Sequence, residues 1–267
     1  MRDFYAARNY TKNNKIQQLN PLNSLLNLGP IVLERNAKLL RKFSKLFPAT
    51  LRAQVWETLA KTVREIDFKS AQKIEESLPK IDLTMKQMMN LKVLTDKPTL
   101  LNFLPKHSIV GEVGVSRGKY SEKILAVTQP KKLYLIDSWG NEFYKSHKKI
   151  VEDLFKKELN SGEVIICQGI STAELEKFED GLFDWVYLDS DHGYENVAKE
   201  LEICRKKVKT GGIIAGHDYV TGQWLKRQRY GVVEAVNEFC NKYNWEMIYL
   251  TNEHHRNLSY ALREIAS

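Results

Sequence analysis

The chain is short of cysteine, has no long apolar run, and shows no strand pattern before residue 107. Each shortage excludes something. Cys167, Cys204 and Cys240 are odd in number and widely spaced, which suits reduced thiols in a core or helix rather than a disulfide framework. No apolar stretch approaches the roughly 18 residues that a membrane-spanning helix needs. The first residues, MRDFYAARNYTKNNK, lack the apolar segment of a secretory signal, so a cytoplasmic protein is expected. No internal repeat is visible.

Apolar residues make up 43% of the 267, enough for a sizeable core. The net charge of +8 is unevenly spread. Residues 1–100 carry 18 Lys/Arg against 9 Asp/Glu, and the remainder carries 23 against 24. A basic front half is either a solvated helical face or a surface for an acidic partner.

Residues 1–30 read as a polar lead-in broken by Pro21 and Pro30. Leu33, Leu39, Leu40, Phe43, Leu46 and Phe47 then fall at helical spacings, interrupted near Pro48. Leu51, Val55, Trp56 and Leu59 continue on a second helix, and a third runs from about 70 to 78. The segment 83–93 fits neither period well, and Pro98 begins a short helix, TLLNFL. A helical extension over 1–90 is therefore expected, with Trp56 and Leu59 buried where it packs. The domain proper would span 91–267.

After His107 the texture changes. SIVGEV, KLYLID, EVIICQ, FDWVYLD and GGIIAG alternate with helical segments. Such alternation predicts parallel strands with crossover helices, an α/β doubly wound sheet of the Rossmann-like kind. A helix at about 231–242 is followed by WEMIYL and NLSYALRE, two strands that should close the sheet as an antiparallel hairpin.

The stretch IVGEVGVSRGKYSEKIL, 109–125, places Gly111, Gly114 and Gly118 in a strand-to-helix turn. Ligands of open α/β sheets bind at such carboxyl ends. The turn is not a P-loop, since no Gly-Lys-Ser/Thr follows, and it lacks the two close glycines of a dinucleotide fingerprint. Glu112 just before it would repel phosphate and suit a cationic ligand. Asp137 ends the second strand 19 residues past Gly118, where a carboxylate can hold ribose hydroxyls. Adenosine without phosphate and with positive charge describes S-adenosylmethionine.

From about Thr99 to the end, the chain resembles class I S-adenosylmethionine-dependent methyltransferases. It looks most like a bacterial small-molecule O-methyltransferase branch that includes macrocin-type sugar O-methyltransferases and the cephalosporin-biosynthesis methyltransferase. The match is strongest over FDWVYLDSDHGYENVAKELEICRKKVKTGGIIAGHDY and the following GVVEAVNEFC. The resemblance implies strand order 3-2-1-4-5-7-6 with strand 7 antiparallel. It implies a cofactor pocket made by Glu112, Gly114, Val115, Gly118, Asp137, Ser138 and Asp189, with Ser171 near the adenine. Relatives often carry an acid just before that serine; this chain has Ile170.

LDSDH places Asp189, Asp191 and His192 at the end of the fourth strand, and GHDY places His217 and Asp218 at the end of the fifth. Carboxylates and imidazoles converging there can bind a divalent cation through Asp189, Asp218 and His217, or take a hydroxyl proton. His192 is the candidate base, with Asp189 beside it. Mg²⁺ or Mn²⁺ would polarise the acceptor hydroxyl. Metal-dependent relatives have an acidic or amide residue where this chain has His217, which could instead serve as a second base or bind a softer metal.

YVTGQWLKRQRY, 219–230, reads as a loop whose Trp224, Lys226, Arg227 and Arg229 could stack on a sugar or clamp an acidic substrate. His254 and His255 read as solvent-exposed. The expected acceptor is a small hydroxylated molecule, and a homo-oligomer is allowed. A nucleic-acid methyltransferase is the first rival, weakened by the lack of an aromatic-basic RNA-binding motif. The second rival is a peripheral membrane or scaffold protein using the basic helices.

Overall fold

The computed structural model describes residues 48–140, 142–223, 228–253 and 257–266, except for some side chains at helix positions. The chain divides at Ser77/Leu78 into two units. In the first, a single 29-residue helix, α1, spans Ala49–Ser77, so the two helices expected after Pro48 are one. Its Leu51, Phe68 and Ile74 are exposed. The side chains of Trp56 and Leu59, expected to be buried, lie outside the described residues, as does the helical pattern at 31–47.

The second unit is built on an eight-stranded sheet. The strands are β1 (Lys92–Leu94), β2 (Ile109–Val113), β3 (Lys132–Asp137), β4 (Val164–Gln168), β5 (Phe183–Leu188), β6 (Val208–Gly216), β9 (Trp245–Thr251) and β10 (Tyr260–Glu264). Their order is β1-β9-β10-β6-β5-β2-β3-β4. Only β10 runs antiparallel, to both β6 and β9. Without β1 this is the expected order, with the antiparallel strand in the expected place. β1 is the addition. It pairs in parallel with β9, in the segment whose pattern fitted neither period.

The helices are α2 (Met85–Met88), α3 (Lys97–Leu101), α4 (Lys119–Thr128), α5 (Glu142–Leu154), α6 (Lys156–Ser161), α7 (Ser171–Glu176), α8 (Tyr194–Lys207) and α9 (Val232–Tyr243). Residues 81–90, read from sequence as part of the extension, are tied to this unit. Asn237 and Asn241 on α9 donate to the carbonyls of Ile81 and Asp82, and Asn90 donates to Glu246 on β9.

Period-two alternation explains why the central strands form. On β5, Val186 and Leu188 enter one apolar cluster while Trp185 and Tyr187 enter the other, all buried. A strand covered on both faces by helices must be apolar throughout, as FDWVYL nearly is. The ends of β2, β5 and β6 are pinned together: Asp189 N–H donates to the Val113 carbonyl at 2.7 Å, and His217 N–H to Leu188 at 3.0 Å. The residues after these strands are thereby brought to one edge of the sheet.

Segment 219–230 is not wholly irregular. β7 (Gly222–Gln223) and β8 (Gln228–Arg229) pair as a short antiparallel ribbon. Trp224, Lys226 and Arg227 lie outside the described residues, as do His254 and His255. Arg229 donates to the Thr221 carbonyl and pairs with Glu234, so its charge is engaged within the loop.

Candidate functional site

The turn between β2 and α4 is forced by packing. Gly114 has φ +90°, and a Cβ there would lie 2.0 Å from the Asp189 carbonyl oxygen. Only glycine permits both the conformation and the approach of the β2 turn to the end of β5. Gly118, at φ +75°, opens α4 against the ring of Phe155.

Asp137 closes this turn from the next strand. Its Oδ2 accepts from the backbone N–H groups of Val115 and Ser116, each at 2.9 Å, and its Oδ1 accepts from Trp139 N–H at 2.8 Å. The buried Trp139 donates its ring N–H to the Ser116 carbonyl, bracing the same turn. His147 on α5 braces it from outside, accepting from Arg117 Nε at 3.0 Å with Ser116 Oγ at 3.3 Å from its Nδ1. Ser138 is exposed, and its carbonyl meets Gln168. Ser171 starts α7, its hydroxyl toward the buried Glu200, which also holds Ser190 and Asn196.

Glu112 is 1% exposed and accepts a hydrogen bond from Ser121 Oγ. Burial pushes its carboxyl up to about 8, against the opposing pull of Ser121 and Lys97. The acid is therefore neutral at pH 7 and gains most from an arriving cation.

Lys97, on α3, was not singled out from sequence. Its Nζ pairs with Asp189 Oδ2 at 2.8 Å, and its side chain is 14% exposed. The ammonium lies 4.1 Å from the ring centroid of Tyr120 and 4.7 Å from that of Tyr187. Burial works against its charge, but Asp189 more than offsets this and its pKa is raised.

At the ends of β5 and β6, His192 Nε2 meets Asp218 Oδ2 as an ion pair. Burial disfavours the imidazolium, yet the Asp218 carboxylate raises the pKa of His192 above its usual value. Burial likewise opposes ionisation of Asp218, but His192 dominates and holds it down at about 2. The two shifts agree on a charged pair. His192 also packs on the Tyr230 ring, with centroids 4.5 Å apart. His217 borders the same recess: its Nδ1 is 3.0 Å from Ser259 Oγ, which is 3.1 Å from Tyr187 OH, and its Nε2 lies 4.0 Å from Asp218 Oδ1. Burial, and then Lys97, lower the pKa of His217, so it is neutral.

Asp189, His192 and Asp218 offer ligand atoms within 4.8 Å of one another. This cluster has His192 beside the two carboxylates, and His217 borders it, with Nε2 4.0 Å from Asp218 Oδ1. Each of its carboxylates already holds a cation, Lys97 on Asp189 and His192 on Asp218. A metal would have to break both pairs and leave a buried ammonium without its partner, a costly exchange. The residues as arranged fit proton transfer rather than metal coordination.

Residues 112–219 match the family model described as a methyltransferase domain. Among solved structures, an S-adenosylmethionine-dependent methyltransferase from Methanosarcina mazei is similar with TM-score 0.50 and 13% identity, over 65% of this chain and 100% of that one. An S-adenosylmethionine-dependent methyltransferase from Aquifex aeolicus is similar with TM-score 0.48 and 15% identity, over 73% and 98%. The M1A22 tRNA methyltransferase TrmK of B. subtilis has TM-score 0.48 and 15% identity, over 65% and 67%. No curated protein sequence matches the chain. Residues 112–219 thus match a methyltransferase domain, and the chain has the Rossmann-like fold of S-adenosylmethionine-dependent methyltransferases.

Proposed function

We propose that the protein methylates a hydroxyl of a small molecule, of the sugar or natural-product kind, and that His192 takes the proton. The observation that carries this reading is the His192–Asp218 pair at the strand ends, beside Asp189 and the glycine turn. Bound S-adenosylmethionine supplies an electrophilic methyl group on a sulfonium.

The residues of the chain do the rest. Gly114 lets the cofactor turn sit against Asp189. Asp137, fixed by three backbone N–H groups, stands at the position suited to ribose. Glu112 offers a carboxyl that ionises when a positive charge arrives. Asp218 holds His192 through Nε2, leaving Nδ1 as the ring nitrogen that accepts the acceptor's proton. An alcohol is a poor nucleophile, so proton removal must accompany attack on the methyl carbon. A positioned base contributes roughly 10²–10⁴-fold to such a step. His192 would take the hydroxyl proton as the acceptor oxygen gains the methyl group that bound S-adenosylmethionine would supply.

The test is a product screen. The full chain is incubated with methyl-labelled S-adenosylmethionine, EDTA, and a panel of sugars, phenols, glycosides and bulk tRNA. The expected product carries the label on a hydroxyl oxygen of a small molecule. Label in tRNA would favour the nucleic-acid rival, and label on nitrogen would sink the O-methylation reading.

A further inference from the structure

We propose that Lys97 and Tyr120 form a receptor for the α-carboxylate of the methyl donor's amino-acid tail, with Asp189 receiving its α-ammonium. The inference rests on the cofactor reading above and adds the residues that recognise the tail. It draws on helix α3, which precedes the matched methyltransferase domain.

Two independent observations support it. The first is a buried cation held at the ends of the strands. Lys97 reaches from α3 to Asp189 at the end of β5, its ammonium against the adjoining rings of Tyr120 and Tyr187. Two aromatic faces stabilise a cation without satisfying its three hydrogen-bond donors. The second is a poorly paired hydroxyl. The Tyr120 hydroxyl is buried and makes no hydrogen bond of good geometry, the Tyr187 hydroxyl being the polar group beside it. A buried hydroxyl left unpaired costs free energy until a partner arrives. Tyr120 lies in the first turn of α4, just past the glycine turn, so its hydroxyl and the Lys97 ammonium share one recess.

Charge balance selects the ligand. Lys97 and Asp189 are one positive and one negative charge joined at 2.8 Å. A zwitterion can open that pair and satisfy both halves: carboxylate to Lys97, ammonium to Asp189. No net charge enters the recess, and no buried charge is left alone. A carboxylate also gives Tyr120 an acceptor. A simple anion or cation would satisfy one half of the pair and strand the other. The free structure therefore holds its own ion pair as a stand-in for the ligand's two charges.

The experiment is calorimetry on the full chain with two probes. One is S-adenosylhomocysteine; the other is its decarboxylated analogue, which keeps the amine and lacks the carboxylate. Wild type should prefer the first by about ten- to a hundredfold, the range of a charge-assisted hydrogen bond. Lys97→Met should collapse that preference to near one, chiefly by weakening S-adenosylhomocysteine. Tyr120→Phe should remove part of it. If Lys97→Met weakens both probes equally, Lys97 only props Asp189 and the proposal is wrong. If Lys97→Met has no melting transition, the other arms decide. An absence of preference in wild type, or a full preference retained in Tyr120→Phe, overturns the proposal. Wild type binding neither probe would instead overturn the cofactor reading itself.

Discussion

Glu112 is a carboxyl whose burial the folded chain gains nothing from until a cation is present. Its folded pKa, about 8, lies above the usual 4.5. Such a group contributes stability fully below about 4.5 and loses it as pH rises through about 8. Glu112→Gln removes that loss. The variant should melt at a higher temperature than wild type at pH 8 and at the same temperature at pH 4. It should also bind S-adenosylmethionine about tenfold more weakly. A melting temperature at pH 8 equal to or below that of wild type would show that the carboxyl is not held neutral. At this scale the sequence was partly legible. Asp189, His192 and Asp218 could be read because acids and histidines bunched at strand ends are rare enough to notice. Lys97 could not: it is one of 41 Lys and Arg residues, and its role depends on α3 lying beside α4 and β5. The place of His192 in the cluster, with His217 bordering it, was equally hidden, because side-chain direction beyond a strand end follows from contacts with Ser259 and Tyr230.

Among the elements, the β2–α4 turn is the most constrained. Gly114→Ala would put a Cβ 2.0 Å from the Asp189 carbonyl oxygen, on a backbone already at φ +90°. The neighbour is main chain pinned to Val113, so it cannot rotate away. The variant should lose measurable S-adenosylmethionine binding in calorimetry and melt several degrees lower, as strain of about 1–3 kcal/mol would dictate. Binding equal to wild type would mean the turn does not shape the cofactor pocket. The strands of the central sheet were readable because each is a short apolar run bounded by turn residues. β1 was not, since only Leu94 of its three residues is buried and its pairing comes from β9. The continuity of α1 was missed because its middle, VREIDFKS, is polar and breaks the apolar period while lacking any Pro or Gly to stop a helix. The β7–β8 ribbon has two residues a side, too few for an alternation to register.

For the whole molecule, the sheet order β1-β9-β10-β6-β5-β2-β3-β4 accounts for where the chemistry sits. The order of strands reverses between the parallel β2 and β5, the place where open α/β sheets leave a crevice. Glu112, Asp137, Asp189 and Asp218 all follow from that topology, each at a carboxyl end on either side of the switch. The order was legible because right-handed crossovers and a closing hairpin leave few alternatives. The ion pairs were not, because they depend on which cation each carboxylate keeps. The central claim is that His192, held by Asp218, deprotonates the acceptor without a metal. The measurement is the pH dependence of methyl transfer by the full chain in EDTA, for wild type and Asp218→Asn, with the acceptor found by the product screen. Since Asp218 raises the pKa of His192 above 6.5, the neutral base appears only as pH rises through that higher value. Wild-type turnover should rise across this range and be indifferent to EDTA. Asp218→Asn should shift the rise to lower pH and cut the plateau, by roughly 10²-fold. Activity that vanishes in EDTA and returns with Mg²⁺, or a profile with no rise above pH 6.5, would contradict the account.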